Sequence, residues 1–160
     1  MIFLTVGSMF PFDRLIRSVD QMVGDGRIVE PVVAQIGDGE YEPKNFEFDR
    51  FLDKPRYDRR VGDAGLLLGH AGAGTIALAL EREKRLLVVP RLYEHREHVN
   101  NHQWATAKKF EELGHVLVAY DAADIPMKLE ALKTFRPSRR EIHPERLAER
   151  IGELLRSVRK

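Results

Sequence analysis

The chain has 160 residues, of which 43% are hydrophobic and 32% charged, with a formal net charge of +1 and no cysteine. This length and composition indicate one soluble, globular domain over residues 1–160 and exclude a membrane-spanning protein, because no apolar run approaches the roughly 20 residues that a bilayer requires. The lack of cysteine excludes disulfides, thiolate catalysis and cysteine zinc sites, and the near-zero charge gives no sign of a nucleic-acid partner.

The first part of the chain predicts a strand, a helix and a second strand. Residues 2–6 form an apolar run that ends at Gly7, and they are too short for a signal peptide, so we expect a cytoplasmic protein. Apolar residues at helical spacing predict a helix over residues 12–23. Residues 27–36 predict a strand, in which Pro31 indicates an edge position or a bulge near the start.

The rest of the chain continues this alternation. Residues 38–53 are irregular and acidic, with a short strand near residues 46–48. Further helices are predicted over residues 54–62, 74–82, 99–113, 124–135 and 144–158, and further strands over residues 65–68, 85–89 and 115–119. The alternation predicts an α/β fold, a Rossmann-like, open, mostly parallel sheet with helices on both faces. Because such sheets bind ligands beyond the carboxyl ends of their strands, we expect a site formed by the loops at residues 7–11, 69–75 and 90–103.

The segment from Gly69 to Thr75 is rich in glycine and lies between an apolar strand and a predicted helix. Small residues let the backbone approach an anion, and the first N–H groups of a helix point towards it. The spacing of Gly69, Gly72 and Gly74 matches neither the dinucleotide nor the Walker pattern, which disfavours nicotinamide binding and ATP hydrolysis. By itself, the segment is open to two interpretations, a loop that cradles phosphate or tight packing of helix against strand.

Residues 90–103 form the densest polar segment, with many groups that hydrogen-bond a sugar or a base. Three interpretations stay open: contacts to a ligand, exposed cap and loop residues, or a metal site at His95, His98 and His102. The metal site is disfavoured because the glutamate of the H-E-x-x-H pattern is missing. In the helix that follows, the spacing of Trp104, Phe110 and Leu113 predicts that they pack in the core.

Three motifs, in order along the chain, carry a resemblance to a known family. They are Thr5-Val6-Gly7-Ser8 followed by Pro11-Phe12-Asp13-Arg14-Leu15-Ile16, then Gly69-His70-Ala71-Gly72-Ala73-Gly74-Thr75, and, after a strand that Pro90 ends, Glu97-His98-Val99-Asn100-Asn101-His102-Gln103-Trp104-Ala105-Thr106-Ala107. Across residues 2–120 the chain resembles the C-terminal, donor-binding half of family 28 glycosyltransferases. Within that family it is similar to the branch of small standalone subunits, which includes the catalytic partner of the dolichol-linked N-acetylglucosaminyltransferase and bacterial exopolysaccharide transferase subunits.

The resemblance implies one half of a GT-B glycosyltransferase, an inverting enzyme that uses a UDP-sugar donor and no cofactor or metal. A separate membrane-anchored subunit would supply a lipid-linked glycan acceptor in polysaccharide biosynthesis, and would hold this chain at the cytoplasmic face of the membrane. By position, the resemblance implies that Gly7 and Ser8 approach the diphosphate, that His70, Ala71, Gly72, Ala73, Gly74 and Thr75 line the phosphate and the sugar, and that Asn101, His102 and Gln103 face the donor sugar.

The chemistry of sugar transfer suggests roles for two further side chains. Transfer from a nucleotide sugar builds an oxocarbenium-like centre and a departing diphosphate, which backbone N–H groups, a helix N-terminus and a cation such as Arg91 can stabilise. The acceptor hydroxyl must also lose a proton, and His70 is the candidate general base by residue type. The resemblance instead places the base in the acceptor half, which would make His70 a contact to the donor.

One position departs from the family pattern. Many members carry a glutamate that holds the ribose hydroxyls six residues after the Ala71-Gly72 pair, and this chain has Leu78 there. The departure leaves open a second function, a noncatalytic nucleotide-binding or scaffold domain that has kept the fold; a stand-alone sugar-nucleotide enzyme is disfavoured by the short length. Residues 144–160 predict a helix with one apolar stripe, within a segment, residues 136–160, that has eight basic and four acidic residues, so we expect it to dock the partner.

Overall fold

The computed structural model describes residues 1–139, and within them the strands form one parallel sheet. The strands are β1 (Ile2–Thr5), β2 (Val32–Gln35), β3 (Glu47–Asp49), β4 (Leu66–His70), β5 (Leu86–Val89) and β6 (Leu117–Val118). The helices are α1 (Asp13–Gly24), α2 (Lys54–Asp63), α3 (Ala73–Glu81), α4 (His102–Glu112) and α5 (Ile125–Thr134). The strand order is β3-β2-β1-β4-β5-β6, and every neighbouring pair is parallel. The predicted fold class is confirmed.

The sheet is buried on both faces. In β1, Ile2 and Leu4 lie in the core that α1 and α5 cover, whereas Phe3 lies in the core that α2, α3 and α4 cover. A strand that is buried on both faces has no polar side to show, which is why its sequence is a continuous apolar run rather than an alternating one. The helices follow from their own apolar stripes; α1, for example, buries Leu15, Ile16, Val19 and Met22.

The structure corrects the prediction for Pro31. Strand β2 begins directly after Pro31 and lies inside the sheet, between β3 and β1, so the predicted edge position or bulge is wrong. Pro31 stands just before the strand, where the missing N–H of proline removes no bond from the ladder. Its carbonyl still accepts a hydrogen bond from the N–H of Ile2 at 2.8 Å.

Two elements near the predicted site have bounds that differ from the prediction. Strand β4 continues through Gly69 and His70, which were predicted in the turn, because Gly69 is paired with Thr5 of β1. Helix α4 begins at His102, later than predicted, because Oδ1 of Asn100 accepts a hydrogen bond from the N–H of His102 at 3.1 Å. Such a local side-chain bond offers the backbone an alternative to the helical pattern.

The functional edge of the sheet follows from the strand order. Neighbouring strands β1 and β4 lead to helices on opposite faces, α1 and α3, which creates the switch point where open parallel sheets hold their ligands. We call residues 6–12 the β1 loop and residues 90–101 the β5 loop.

The predicted helix at residues 144–158 and the docking role of residues 144–160 lie outside the described residues. Within residues 1–139, no helix combines the length and the apolarity needed to cross a bilayer.

Candidate functional site

The imidazole of His70 lies between two glycines at the switch point. A Cβ added at Gly72 would overlap Nε2 of His70, and a Cβ added at Gly7 would lie 2.9 Å from Cε1 of the same ring. Gly7 also has a φ of +74°, in the left-handed region that favours glycine. The chain can therefore enclose the imidazole from both sides only because these two positions carry no side chain.

The surroundings of His70 keep its imidazole neutral near pH 7. Burial, together with the positive charge of Arg91, lowers the pKa of His70 to about 4. Among residues 1–139, its Nδ1 is buried and has no hydrogen-bond partner. The backbone of Thr5 nevertheless lies near enough to the ring to oppose part of the lowering of its pKa, so this atom does not by itself indicate a ligand.

Helix α3 begins beside His70, and its N-terminus carries no side-chain cap. Gly72 occupies the N-cap position, Ala71 is buried before it, and Ala73 and Gly74 of the first turn are exposed, whereas Thr75 is buried. The first N–H groups of a helix and its dipole together favour an anion. The segment predicted to cradle phosphate is thus a short turn after β4 followed by an open helix N-terminus.

Arg91 is buried against the β1 loop. Its side chain is 2% exposed, its Nη2 donates to the carbonyls of Val6 at 2.6 Å and Phe10 at 2.5 Å, and its Nε donates to the carbonyl of Pro11 at 3.4 Å. Burial lowers the pKa of Arg91 to about 10, so the guanidinium is still charged near neutral pH. In this arrangement Arg91 holds the backbone of the loop, and its predicted contact to phosphate stays a prediction.

Two of the three residues expected at the donor sugar bind neighbouring backbone. Gln103 is 3% exposed, and its Oε1 accepts a hydrogen bond from the N–H of Arg91 at 3.2 Å. Oδ1 of Asn101 accepts from the N–H of Tyr93 at 2.7 Å, and its Nδ2 donates to Glu94 at 2.9 Å. Both amides therefore help to shape the β5 loop, whatever else they contact.

The histidines of the β5 loop and of α4 pack on one another. The ring of His102, the third expected sugar contact, is exposed and lies 4.4 Å from the ring of His98, centroid to centroid. The ring of His98 in turn lies 4.7 Å from that of Phe10 in the β1 loop. Within residues 1–139, no group of three or more histidine, aspartate or glutamate side chains is placed to hold a metal ion.

Trp104 and Leu113 lie on the surface, so their predicted place in the core is wrong, whereas Phe110 packs against the core as predicted. The helix buries Gln103 and Ala107, four residues apart, and Trp104 stands one position off that stripe with 43% of its surface exposed. Its ring packs against Tyr120, with ring centroids 5.6 Å apart, and Nζ of Lys108 lies 5.5 Å from its centre.

Sequence analysis missed two buried polar residues that hold these loops. Gln35 ends β2, and its Nε2 donates to the carbonyl of Gly7 at 3.4 Å. Glu97 is 6% exposed and accepts two hydrogen bonds from Arg14, at 2.6 and 2.8 Å. A polar residue at the carboxyl end of an apolar strand was the available signal for Gln35. The partner of Glu97 lies 83 residues away in sequence, which no local pattern reveals.

Comparison with known proteins identifies a family and individual proteins that are similar to this chain. Residues 1–150 match the glycosyltransferase family 28 C-terminal domain. The UDP-N-acetylglucosamine transferase subunit ALG13 is 35% identical in Mus musculus over 125 residues and 34% identical in Homo sapiens over 128 residues, which cover 71% and 72% of this chain. The chain spans about 10% of the length of these curated relatives.

A solved structure shows the same fold. CalG4, the calicheamicin glycosyltransferase, is similar with a TM-score of 0.61 at 20% identity, over 83% of this chain and 34% of CalG4. The strand order and the helices on both faces are thus those of part of a known glycosyltransferase. Because the family domain matches most of its length, the chain belongs to the glycosyltransferase family 28 C-terminal domain family.

Proposed function

We propose that this chain binds the UDP-sugar donor of an inverting glycosyltransferase and forms its catalytic half. A membrane-associated partner subunit would hold a lipid-linked glycan acceptor and keep the chain at the cytoplasmic membrane face, in polysaccharide biosynthesis. Family membership and the ALG13 relatives, which are subunits of a UDP-N-acetylglucosamine transferase by name, support this proposal. The observation that carries the donor site is the imidazole of His70 enclosed by Gly7 and Gly72 beside the open N-terminus of α3.

The diphosphate would bind at the start of α3 and the start of the β1 loop. The leaving group gains negative charge in the transition state, and the helix N-terminus stabilises that charge without any reorganisation. A Cβ at Gly74 would meet nothing within 4 Å, so the first turn of α3 leaves room for a phosphate to approach its backbone. Because these groups stabilise the negative charge of the departing diphosphate, we propose that the transfer requires no metal.

His70 would contact the donor rather than take the proton of the acceptor. A general base works best with a pKa near the working pH, whereas the pKa of His70 is lowered to about 4. Its neutral ring can donate or accept one hydrogen bond at Nε2, the atom nearest to Gly72. The base would then come from the acceptor-binding partner.

The donor sugar would lie towards the β5 loop and the start of α4. Gln103 uses its amide oxygen to hold the N–H of Arg91, which leaves its amide nitrogen to face a sugar hydroxyl. The exposed ring of His102 would line the same side. Arg91 would act indirectly, because its bonds to the β1 loop hold the backbone that approaches the diphosphate.

A second candidate function rests on Leu78. A leucine offers no carboxylate to a ribose, and this side chain instead packs against the core beneath α3. A noncatalytic domain that binds a nucleotide weakly, or only supports a partner, would tolerate that loss. The two functions differ in turnover, because the scaffold would bind without transferring sugar.

Calorimetric titration of the chain, and of its complex with the partner, tests the proposal. The ligands are UDP, a panel of UDP-sugars and ADP, and the variants are His70→Asn and Gln103→Ala. His115→Asn is the matched control, because His115 lies at the other end of α4 and binds the carbonyl of Ser138. Selective uridine binding that both site variants weaken, and the control does not, supports the donor site. Equal binding of ADP, or no binding even by the complex, contradicts it, and binding without transfer by the complex favours the scaffold.

A further inference from the structure

Arg91 joins the two loops that border the candidate site. It belongs to the β5 loop, but its guanidinium donates hydrogen bonds to the carbonyls of Val6, Phe10 and Pro11, which all lie in the β1 loop. It also lies over the ring of Phe12, 5.0 Å from the ring centre. A rigid guanidinium that meets three carbonyls fixes the course of the whole loop rather than one residue.

Glu97 makes a second link, from the β5 loop to the first turn of α1, which directly follows the β1 loop. Its carboxylate accepts two bonds from Arg14 in the first turn of α1, and a third from the N–H of Leu92 at 3.0 Å within its own loop. Arg14 in addition donates to the carbonyl of Pro90 at 3.1 Å, where the β5 loop begins. The fork-to-fork geometry of an arginine and a carboxylate gives direction as well as attraction.

Glu97 lies close to two cations, Arg14 and Arg91. The guanidinium of Arg14 lies 5.3 Å from the ring centre of Phe12, the ring that Arg91 also approaches, so two cations flank one buried apolar ring. Glu97 supplies the negative charge beside both, since it pairs with Arg14 and its charge favours the protonated form of Arg91. Removal of that charge leaves the buried Arg91 and the partly exposed Arg14 without a nearby anion, which favours movement or hydration of the segments that hold them.

We propose that Arg91, Glu97 and Arg14 lock the β1 loop and the β5 loop into one preassembled unit, and that Glu97 is a positioning residue for donor binding. Neither Glu97 nor Arg14 contacts the donor in this scheme. Their effect reaches it through the backbone at Gly7 and Ser8 and through Gln103, which also binds Arg91. The part about donor binding rests on the proposed function, whereas the coupling of the loops does not.

The first test measures amide hydrogen exchange in the ligand-free full-length chain. Glu97→Gln keeps the shape of the side chain and removes its charge, and we expect faster exchange in both loops, including the β1 loop to which Glu97 does not belong. Arg56→Ala is the control, because Arg56 forms a more exposed pair with Asp49, in which its Nη2 lies 2.9 and 3.1 Å from the two carboxylate oxygens, away from these loops. Unchanged exchange in the β1 loop of folded Glu97→Gln would overturn the coupling.

The second test measures the dissociation constant of the UDP-sugar on the same proteins, with the partner present where binding needs it. We expect Glu97→Gln to raise it about tenfold and Arg56→Ala to leave it unchanged. Arg14→Lys keeps the positive charge but loses the fork, so it should give a smaller rise and serves where Glu97→Gln does not fold. If a folded variant has loosened loops but binds the UDP-sugar as tightly as the wild type does, the positioning role is refuted. If the wild-type chain binds no UDP-sugar even with the partner, and Glu97→Gln still loosens both loops, the proposed function is refuted and the coupling of the loops stands.

Discussion

Replacement of Gly74 by alanine should change the stability of the fold and the affinity for the donor in opposite directions. Gly74 is the second residue of α3, its φ is not in the left-handed region, and a Cβ there meets nothing within 4 Å. Alanine in a helix is favoured over glycine by about 0.5–1 kcal/mol. Gly74→Ala should therefore stabilise the free protein, and should raise its melting temperature by roughly 1–4 °C in a domain of this size.

The same methyl group should weaken donor binding. If the diphosphate lies on the first turn of α3, the added Cβ occupies the space through which the phosphate reaches the backbone N–H groups. We expect the dissociation constant of UDP to rise at least tenfold, which corresponds to a loss of about 1.4 kcal/mol. A variant that is more stable and binds less well cannot be explained by damage to the fold.

Gly62→Ala provides the matched control. Gly62 lies within α2, is exposed, and also has nothing within 4 Å of the position of a Cβ. It should show the same gain in stability with unchanged binding. Differential scanning calorimetry and titration with UDP give both quantities on the same samples. If Gly74→Ala binds UDP as tightly as Gly62→Ala does, the diphosphate does not lie on α3 and our placement of the donor is wrong.

Four further outcomes follow from the contacts described above. Gly72→Ala should lower the free energy of unfolding by about 1–3 kcal/mol, because its Cβ overlaps His70, and an unchanged urea midpoint would contradict the enclosure of the ring. Between pH 6.5 and about 4 His70 is protonated in the unfolded chain but not in the folded one. The wild type should therefore lose up to about 3 kcal/mol of stability as the pH falls through that window, and His70→Asn should lack this loss. Identical pH profiles of stability for the two proteins would refute the burial of a neutral ring. Although burial raises the pKa of Asp20, hydrogen bonds from Tyr41 and Asn45 lower it overall. Asp20→Asn should therefore lower the free energy of unfolding by about 1.5–3 kcal/mol and speed proteolysis in the segment after β2. Equal cleavage rates for the variant and the wild type would contradict this. Finally, sugar transfer by the complex should continue in excess EDTA, and loss of transfer that added metal restores would show that the diphosphate needs an ion.

Most of the architecture was already determined by local patterns in the sequence. Apolar runs such as residues 65–68 predicted buried strands, and helical spacing predicted α1, because strand and helix periods repeat within a few residues. The turn before α3 was also visible, since a glycine at residue 72 follows a strand and precedes a helix. What failed at this level was position, as at Pro31 and Asn100, where a missing N–H or one side-chain bond moved the end of an element.

Only the tertiary structure decided which polar side chains bind each other. Arg91 and Gln103 were expected to face a ligand, which stays a prediction, and the fold shows that they also have backbone partners in the β1 and β5 loops. Arg14 and Glu97 had no assigned role, and they meet across 83 residues because β1 and β5 both pair with β4 in parallel, which brings the segments that follow the two strands to the same end of the sheet. A hydrophobic period is a property of neighbouring residues, whereas a hydrogen-bond partner depends on chain segments that the whole sheet brings together. The composition of the site was therefore encoded locally, and its internal connections were not.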